Sequence, residues 1–142
     1  IKTFFLLHVE EKLCKKTLMK INKVVVIGSG TMGSGIAAQL CNANIPVTLL
    51  DLKTEISQKA KERIEKSRPP LLIDKSKING INVGNIIDDF DYVSEADWIV
   101  EAVVERIDIK HDIYEKIFNK RKKDSIVSSN TSSIPISVLS EK

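Results

Sequence analysis

The chain has 142 residues, with 22 basic and 19 acidic side chains and a formal net charge of +3; this is one ordinary domain, able to bury roughly 70% of the surface its unfolded form exposes. A hydrophobic fraction of 42% beside a charged fraction of 29% is that of a soluble globular protein, and no apolar run approaches the roughly 20 residues a membrane helix needs. The mild, dispersed charge argues against a nucleic-acid surface, Cys14 and Cys41 are too far apart for a redox C-x-x-C pair, and two histidines give no metal-ligand spacing.

Residues 1–18 stand apart from the pattern that follows. Phe4 to Leu7 is too short for a secretory core and runs into Glu10 and Glu11, where a cleavage site would need small residues. Met19 stands just ahead of the first regular pattern, so an extension over 1–18 and a domain over 19–142 are expected. Val24, Val25, Val26 and Ile27 then form a β-branched run without alternation, as in a central parallel strand buried on both faces. The run stops at Gly28, Gly30 and Gly33, in G-x-G-x-x-G spacing, with a helix beginning inside the motif near Met32. Gly28 permits the turn, Gly30 lets a pyrophosphate approach the backbone, and Gly33 lets the helix lie close on the strand. The helix N-terminus favours an anion there, and Ser29 and Thr31 are expected to add hydroxyl donors. Cys41 falls in the apolar pattern of this helix as a packed thiol, in keeping with a reducing, cytoplasmic setting.

Asn42, Asn44 and Pro46 turn the chain into a second apolar run, Val47 to Leu50, which ends at Asp51. An acidic side chain there accepts hydrogen bonds from an adenosine ribose and repels a 2′-phosphate, so NAD rather than NADP is the expected cofactor. The plainer reading has Asp51 capping the following helix. Thr54 is the expected N-cap of that helix, Ile56, Ala60 and Ile64 give it a thin apolar seam, and it should end at Arg68, before Pro69 and Pro70. Leu71 to Asp91 is expected to hold a helical piece and a short third strand. Trp98 to Val104 is another buried-strand candidate, followed by Glu105. In the next helix Ile109, Ile113 and Ile117, with Tyr114 and Phe118, bury one face and leave Lys110, Asp112, Glu115 and Lys116 wet. The basic run Lys120 to Lys123 closes this helix as a solvated end. Ser125 to Ser129 carries Ile126 and Val127 into the polar turn Asn130 to Ser133. The alternation of strand and helix predicts an α/β fold, a Rossmann-type doubly wound parallel sheet with its ligand crevice at the carboxyl ends of the strands.

Three stretches, VVVIGSGTMGSGIAAQL, DWIVEAVVERIDIKHDIYEKIF and IVSSNTSSIPI, in this order resemble the amino-terminal NAD-binding domain of the 3-hydroxyacyl-CoA dehydrogenases, enzymes of fatty acid β-oxidation. The resemblance runs from about Met19 to the end, and the paired prolines are most similar to bacterial members, some fused to an enoyl-CoA hydratase. It implies that Gly28, Gly30, Thr31, Met32, Gly33 and Asp51 bind NAD, with Glu105 and Lys110 near the nicotinamide side. It implies also that Ser132 hydrogen-bonds the 3-oxygen of an acyl-CoA substrate. On the residues alone, Glu105 is a helix cap, Lys110 a surface pair and Ser132 a turn hydroxyl. The resemblance further implies a catalytic histidine with an orienting glutamate just after the SNTSS turn. A largely helical carboxyl-terminal domain would clasp the substrate and dimerise. All of these are expected beyond Lys142, and neither His8 nor His111 matches the catalytic position. A non-catalytic nucleotide-binding module, a decayed gene product and a dehydrogenase of small hydroxy acids remain the alternatives.

Overall fold

The computed structural model describes residues 20–139; the extension expected over residues 1–18, with His8 and Cys14, lies outside them. Strands β1 (Val24–Ile27), β2 (Val47–Asp51), β3 (Ile81–Asn85), β4 (Trp98–Glu101) and β5 (Ile126–Ser129) form one parallel sheet in the order β3-β2-β1-β4-β5. Between and after them run helices α1 (Thr31–Asn42), α2 (Thr54–Lys66), α3 (Tyr92–Glu95), α4 (Ile107–Lys120) and α5 (Ile136–Leu139). The expected doubly wound sheet is therefore present. Among the described residues no helix is long and apolar enough to cross a membrane.

The unbroken apolar character of β1 has a packing cause. Val24 and Val26 point into a core with Ala37, Leu49 and Ile64, while Val25 and Ile27 point into a second core with Ile99, Ile113 and Ile117. Both faces are covered, so no position of the strand tolerates a polar residue. Small side chains let α1 approach: Ala37 and Ala38 are fully buried, and Cys41 packs beside them. The helix leaves through Asn44, whose φ of 60° is a left-handed conformation that asparagine adopts readily. The chain builds β1, β2 and β3 outward, then crosses back to lay β4 on the other side of β1. That reversal opens a crevice at the carboxyl ends of β1 and β4.

Several local expectations need correction. Thr54 is the first residue of α2, not its cap, because Lys53 holds the cap position; the Thr54 hydroxyl instead accepts a hydrogen bond from Asn85 Nδ2 at 3.0 Å. The helix stops at Lys66 rather than Arg68, since Ser67 adopts a non-helical ψ and its hydroxyl donates to the Ile64 carbonyl at 2.9 Å. Residues 71–91 hold a 3-10 turn (Lys75–Gly80) and β3. Strand β4 ends at Glu101, not Val104, because the Glu101 carboxylate takes the Val103 N–H at 2.9 Å and turns the chain. Phe118 is exposed, with the Arg121 guanidinium 4.9 Å above its ring. Ile126 is exposed and Val127 only half-buried, since β5 lies at the sheet edge among the described residues.

Asp97 ties the start of β1 to β4. Its Oδ2 accepts the N–H groups of Asn22 at 2.7 Å and Lys23 at 3.0 Å, and its Oδ1 pairs with the Lys122 ammonium. The Lys122 ammonium first, then the two N–H groups, hold this carboxyl down to about 2. A carboxyl depressed on folding stabilises the native state above its unfolded value of about 3.9 and loses that effect as pH falls through the folded value. In urea melts, the stability gap between the wild type and Asp97→Asn is expected to be full above about pH 5 and to close between about pH 4 and 2. A gap that stays constant over this range would show that these contacts do not favour the ionised carboxylate.

Candidate cofactor-binding site

The glycine loop is shaped by two close approaches. Gly28 has a φ of +100°, and a Cβ there would lie 2.4 Å from the Ala102 carbonyl oxygen; a Cβ on Gly33 would lie 1.8 Å from the Gly28 carbonyl oxygen. Only hydrogen fits at either position. Gly30 faces open space, with no heavy atom within 4 Å of an added Cβ. The first N–H groups of an α-helix have no partner inside it, and no side chain caps α1. Its N-terminus therefore presents donors and a positive dipole end to a cleft of about 750 Å³, lined here by Gly28, Gly30, Thr31 and Met32. A cradle closed to side chains at Gly28 and Gly33 and open at Gly30 fits a dinucleotide diphosphate.

Asp51 flanks the loop from the β2 side. Its Oδ2 accepts the Ser29 N–H at 2.7 Å and the Ser29 hydroxyl at 2.6 Å, and its Oδ1 accepts the Leu52 N–H at 2.8 Å. Ser29 is buried and committed to Asp51, which corrects the expectation that its hydroxyl serves the phosphates. Asp51 does not cap α2; its third hydrogen bond stops at Leu52, before the cap position. A carboxylate has about four acceptor sites, so these three hydrogen bonds leave one, and Asp51 lines the cleft. Arg63 joins this group from α2, donating from Nη2 to the Ser29 carbonyl at 2.9 Å. Sequence reasoning missed it, although Arg63 lies seven residues after the cleft-lining Ile56 and so on the same helix face.

A buried ionic cluster flanks the loop from the β4 side. The side chains of Glu101 and Lys110 are both 0% exposed, with Lys110 Nζ 2.7 Å from Glu101 Oε1 and 3.2 Å from Glu105 Oε2. The other Glu101 oxygen accepts the hydroxyls of Ser129 at 2.6 Å and Tyr114 at 3.1 Å. Burial first, with the neighbouring Glu101 carboxylate adding to it, pushes the Tyr114 hydroxyl up to about 12. Lys110 was expected on a wet surface, and it is instead enclosed, because it falls three residues before Ile113 and seven before Ile117 on the packed face of α4. Glu101 escaped notice altogether, although a carboxylate within a run otherwise fit for burial was a signal for a buried partner.

Glu105 is not a helix cap, since Arg106 holds that position in α4. Its Oε1 accepts the Thr131 hydroxyl at 2.5 Å, the Ser132 and Ser133 N–H groups at 3.0 Å each and the Ser133 hydroxyl at 3.1 Å. These donors, led by Thr131 and Ser133, hold the Glu105 carboxyl well below the usual carboxylate range. Ser132 and Asn130 line the cleft beside Glu105. His111 lies elsewhere, with Nε2 3.2 Å from the Val138 carbonyl oxygen.

Comparison with known proteins agrees with this arrangement. Residues 23–142 match the family described as "3-hydroxyacyl-CoA dehydrogenase, NAD binding domain". The chain is 44% identical over 125 residues to a probable 3-hydroxyacyl-CoA dehydrogenase of Deinococcus radiodurans, covering 83% of this chain and 36% of that protein. It is 42% identical over 129 residues to a putative fatty acid oxidation complex trifunctional enzyme of Rickettsia felis, covering 86% of this chain and 18% of that protein. The crystal structure of (S)-3-hydroxybutyryl-CoA dehydrogenase from Ralstonia eutropha matches with a TM-score of 0.70 at 28% identity, over 84% of this chain and 44% of that one. In each case the chain spans less than half of its relative. Glycine loop, carboxylate and sheet order thus meet a family match over nearly the whole described chain, which belongs to the 3-hydroxyacyl-CoA dehydrogenase family as its NAD-binding domain.

Proposed function

We propose that this chain supplies the cofactor half of a dehydrogenase that oxidises 3-hydroxyacyl-CoA to 3-ketoacyl-CoA in fatty acid β-oxidation. The observation that carries the reading is the single cleft that brings together an uncapped helix N-terminus, Asp51 on one side and Ser132 on the other. The N–H groups at Gly30, Thr31 and Met32 hold the diphosphate, with Gly28 and Gly33 keeping the loop and α1 close. Asp51 takes a ribose hydroxyl and repels a 2′-phosphate. Bound NAD supplies the hydride acceptor; Glu105 and Lys110 stand toward its nicotinamide side. The Ser132 hydroxyl hydrogen-bonds the substrate's 3-oxygen and orients C3 for hydride departure. The hydroxyl proton goes to a base, a histidine that follows the Asn130–Ser133 turn in the whole protein. Substrate clasping and dimerisation belong to a further helical domain, and the setting is cytoplasmic.

NADH titration tests the cofactor reading directly. Wild-type chain is expected to bind NADH more tightly than NADPH, and Asp51→Ala to weaken NADH roughly ten- to a hundredfold, as for a lost hydrogen bond to a charged group. Unchanged affinity would sink the ribose assignment. On the full-length protein, turnover of acetoacetyl-CoA but not of free hydroxy acids is the expected substrate profile, and the reverse would move the assignment to a small hydroxy acid dehydrogenase.

A further inference from the structure

Asp51 and Arg63 grip one residue from opposite ends. The carboxylate takes the Ser29 N–H and hydroxyl, and the guanidinium reaches the Ser29 carbonyl oxygen at 2.9 Å. An anion and a cation are thereby fixed around a single residue, on the flank of the cleft where β2 hands over to α2. They do not neutralise each other, since no ion pair joins them among the described residues. Arg63 is exposed, and Ser29 takes only one of the several N–H donors a guanidinium carries. The Ser34 hydroxyl donates to the same carbonyl at 2.9 Å, so the loop keeps an anchor of its own when Arg63 turns to another acceptor. Lys59 and Lys66, one turn before and one turn after Arg63 on α2, are exposed and add to the positive field of that face. Of the three, Arg63 alone lines the cleft.

We infer that Arg63 is a specificity-determining residue that favours a 2′-phosphate against Asp51, so that the cleft excludes NADPH through one carboxylate and carries a latent site for the phosphorylated dinucleotide. The inference deepens the cofactor reading above and rests on it. In a sheet of this order, the end of β2 is where an acidic side chain meets the ribose hydroxyls, and it is also where an arginine accommodates a 2′-phosphate. This chain has both groups at that place. A planar guanidinium matches two phosphate oxygens at once, and a charge-assisted bond of this kind outweighs one to a neutral carbonyl. An unphosphorylated ribose offers Arg63 no such partner. Were Arg63 only a brace for the glycine loop, it would serve NADH and NADPH alike, because both use the same loop; a phosphate ligand serves NADPH alone. The ratio of the two affinities therefore separates the roles.

Equilibrium titration of the 142-residue chain with NADH and with NADPH, read by nicotinamide fluorescence, tests the inference. Arg63→Gln is expected to weaken NADPH about tenfold more than NADH, the low end for a lost hydrogen bond to a charged group because the site is open to solvent. Arg63→Lys keeps the charge without the fork and is expected to fall between the two. Asp51→Asn removes the repulsion with little change of shape, and is expected to bind NADPH about tenfold more tightly than the wild type does while binding NADH more weakly. That gain should vanish when Asp51→Asn is combined with Arg63→Gln. Adenosine 2′,5′-bisphosphate set against 5′-AMP should repeat the pattern without the nicotinamide half. The inference is overturned if Arg63→Gln lowers NADH and NADPH by the same factor, which would make Arg63 a brace. It is overturned also if Asp51→Asn gains NADPH equally with and without Arg63. A wild type that binds neither dinucleotide would overturn the cofactor reading, and this inference with it.

Discussion

Replacing Lys110 by methionine is expected to destabilise the folded chain by about 3–5 kcal/mol, the range found when one partner of a buried ion pair is removed. Methionine fills much of the same volume, so the loss is electrostatic. Glu101 would keep three donors but lose its counter-charge among the described residues, inside a region where neither side chain has any exposed surface. Glu105 would lose its contact with Nζ at the same time. Because small domains are stable by only about 5–15 kcal/mol in total, urea melts of this variant are expected to approach the limit of a folded protein. Adding Glu101→Gln to Lys110→Met is expected to recover most of the loss, since a neutral pair removes the uncompensated charge. A single-variant loss below about 1 kcal/mol would show that the site admits water or a proton to Glu101 at little cost.

Gly33→Ala is expected to have a comparable effect by a different route. Its Cβ would sit 1.8 Å from the Gly28 carbonyl oxygen and 3.4 Å from Val26 Cγ1. The first obstacle is backbone, so no rotamer change relieves it; α1 must lift from β1 and carry its N-terminal N–H groups out of the cleft. A loss of about 3 kcal/mol or more in stability is expected, at the upper end for overpacking, together with loss of measurable NADH binding. Gly35→Ala is the internal control. Two residues further along α1, its Cβ would meet nothing within 4 Å, and alanine is the better helix former by about 0.8–1 kcal/mol. Thermal melts of the two variants should therefore move in opposite directions. If Gly33→Ala binds NADH as the wild type does, the close approach of helix to strand is not what shapes the site.

What the sequence made legible was local. The unbroken run in β1 and the three glycines lie within ten residues, and each obeys a rule that does not depend on the rest of the fold. The same holds for Ile113 and Ile117, whose spacing finds the packed face of α4. Lys110 lies on that face too, but a charged residue at an apolar position is legible as buried only if its partner is known. That partner, Glu101, lies nine residues upstream on a different element. Ser29 was misassigned for a related reason: a loop hydroxyl beside a phosphate site has an obvious role, yet Asp51, brought over by β2, claims it first. Glu105 belongs with them. Its donors come from a turn more than twenty residues later, reached only after β5 has been added to the sheet.

The locking of Ser29 between Asp51 and Arg63 bears on how the cofactor comes and goes. Four hydrogen bonds, two to the Asp51 carboxylate and one each from Arg63 and the Ser34 hydroxyl to the Ser29 carbonyl, hold the middle of the glycine loop through the protein's own groups. A loop already in its binding shape loses little conformational freedom on association, so more of the contact energy appears as affinity. Arrival is then governed by diffusion and by the field of the helix end, with no folding step in the way. Release is governed by how fast the ligand's own contacts break. A cradle held in this way is expected to act as a fixed socket, with exchange of dinucleotide set by residence time and not by rearrangement of the loop.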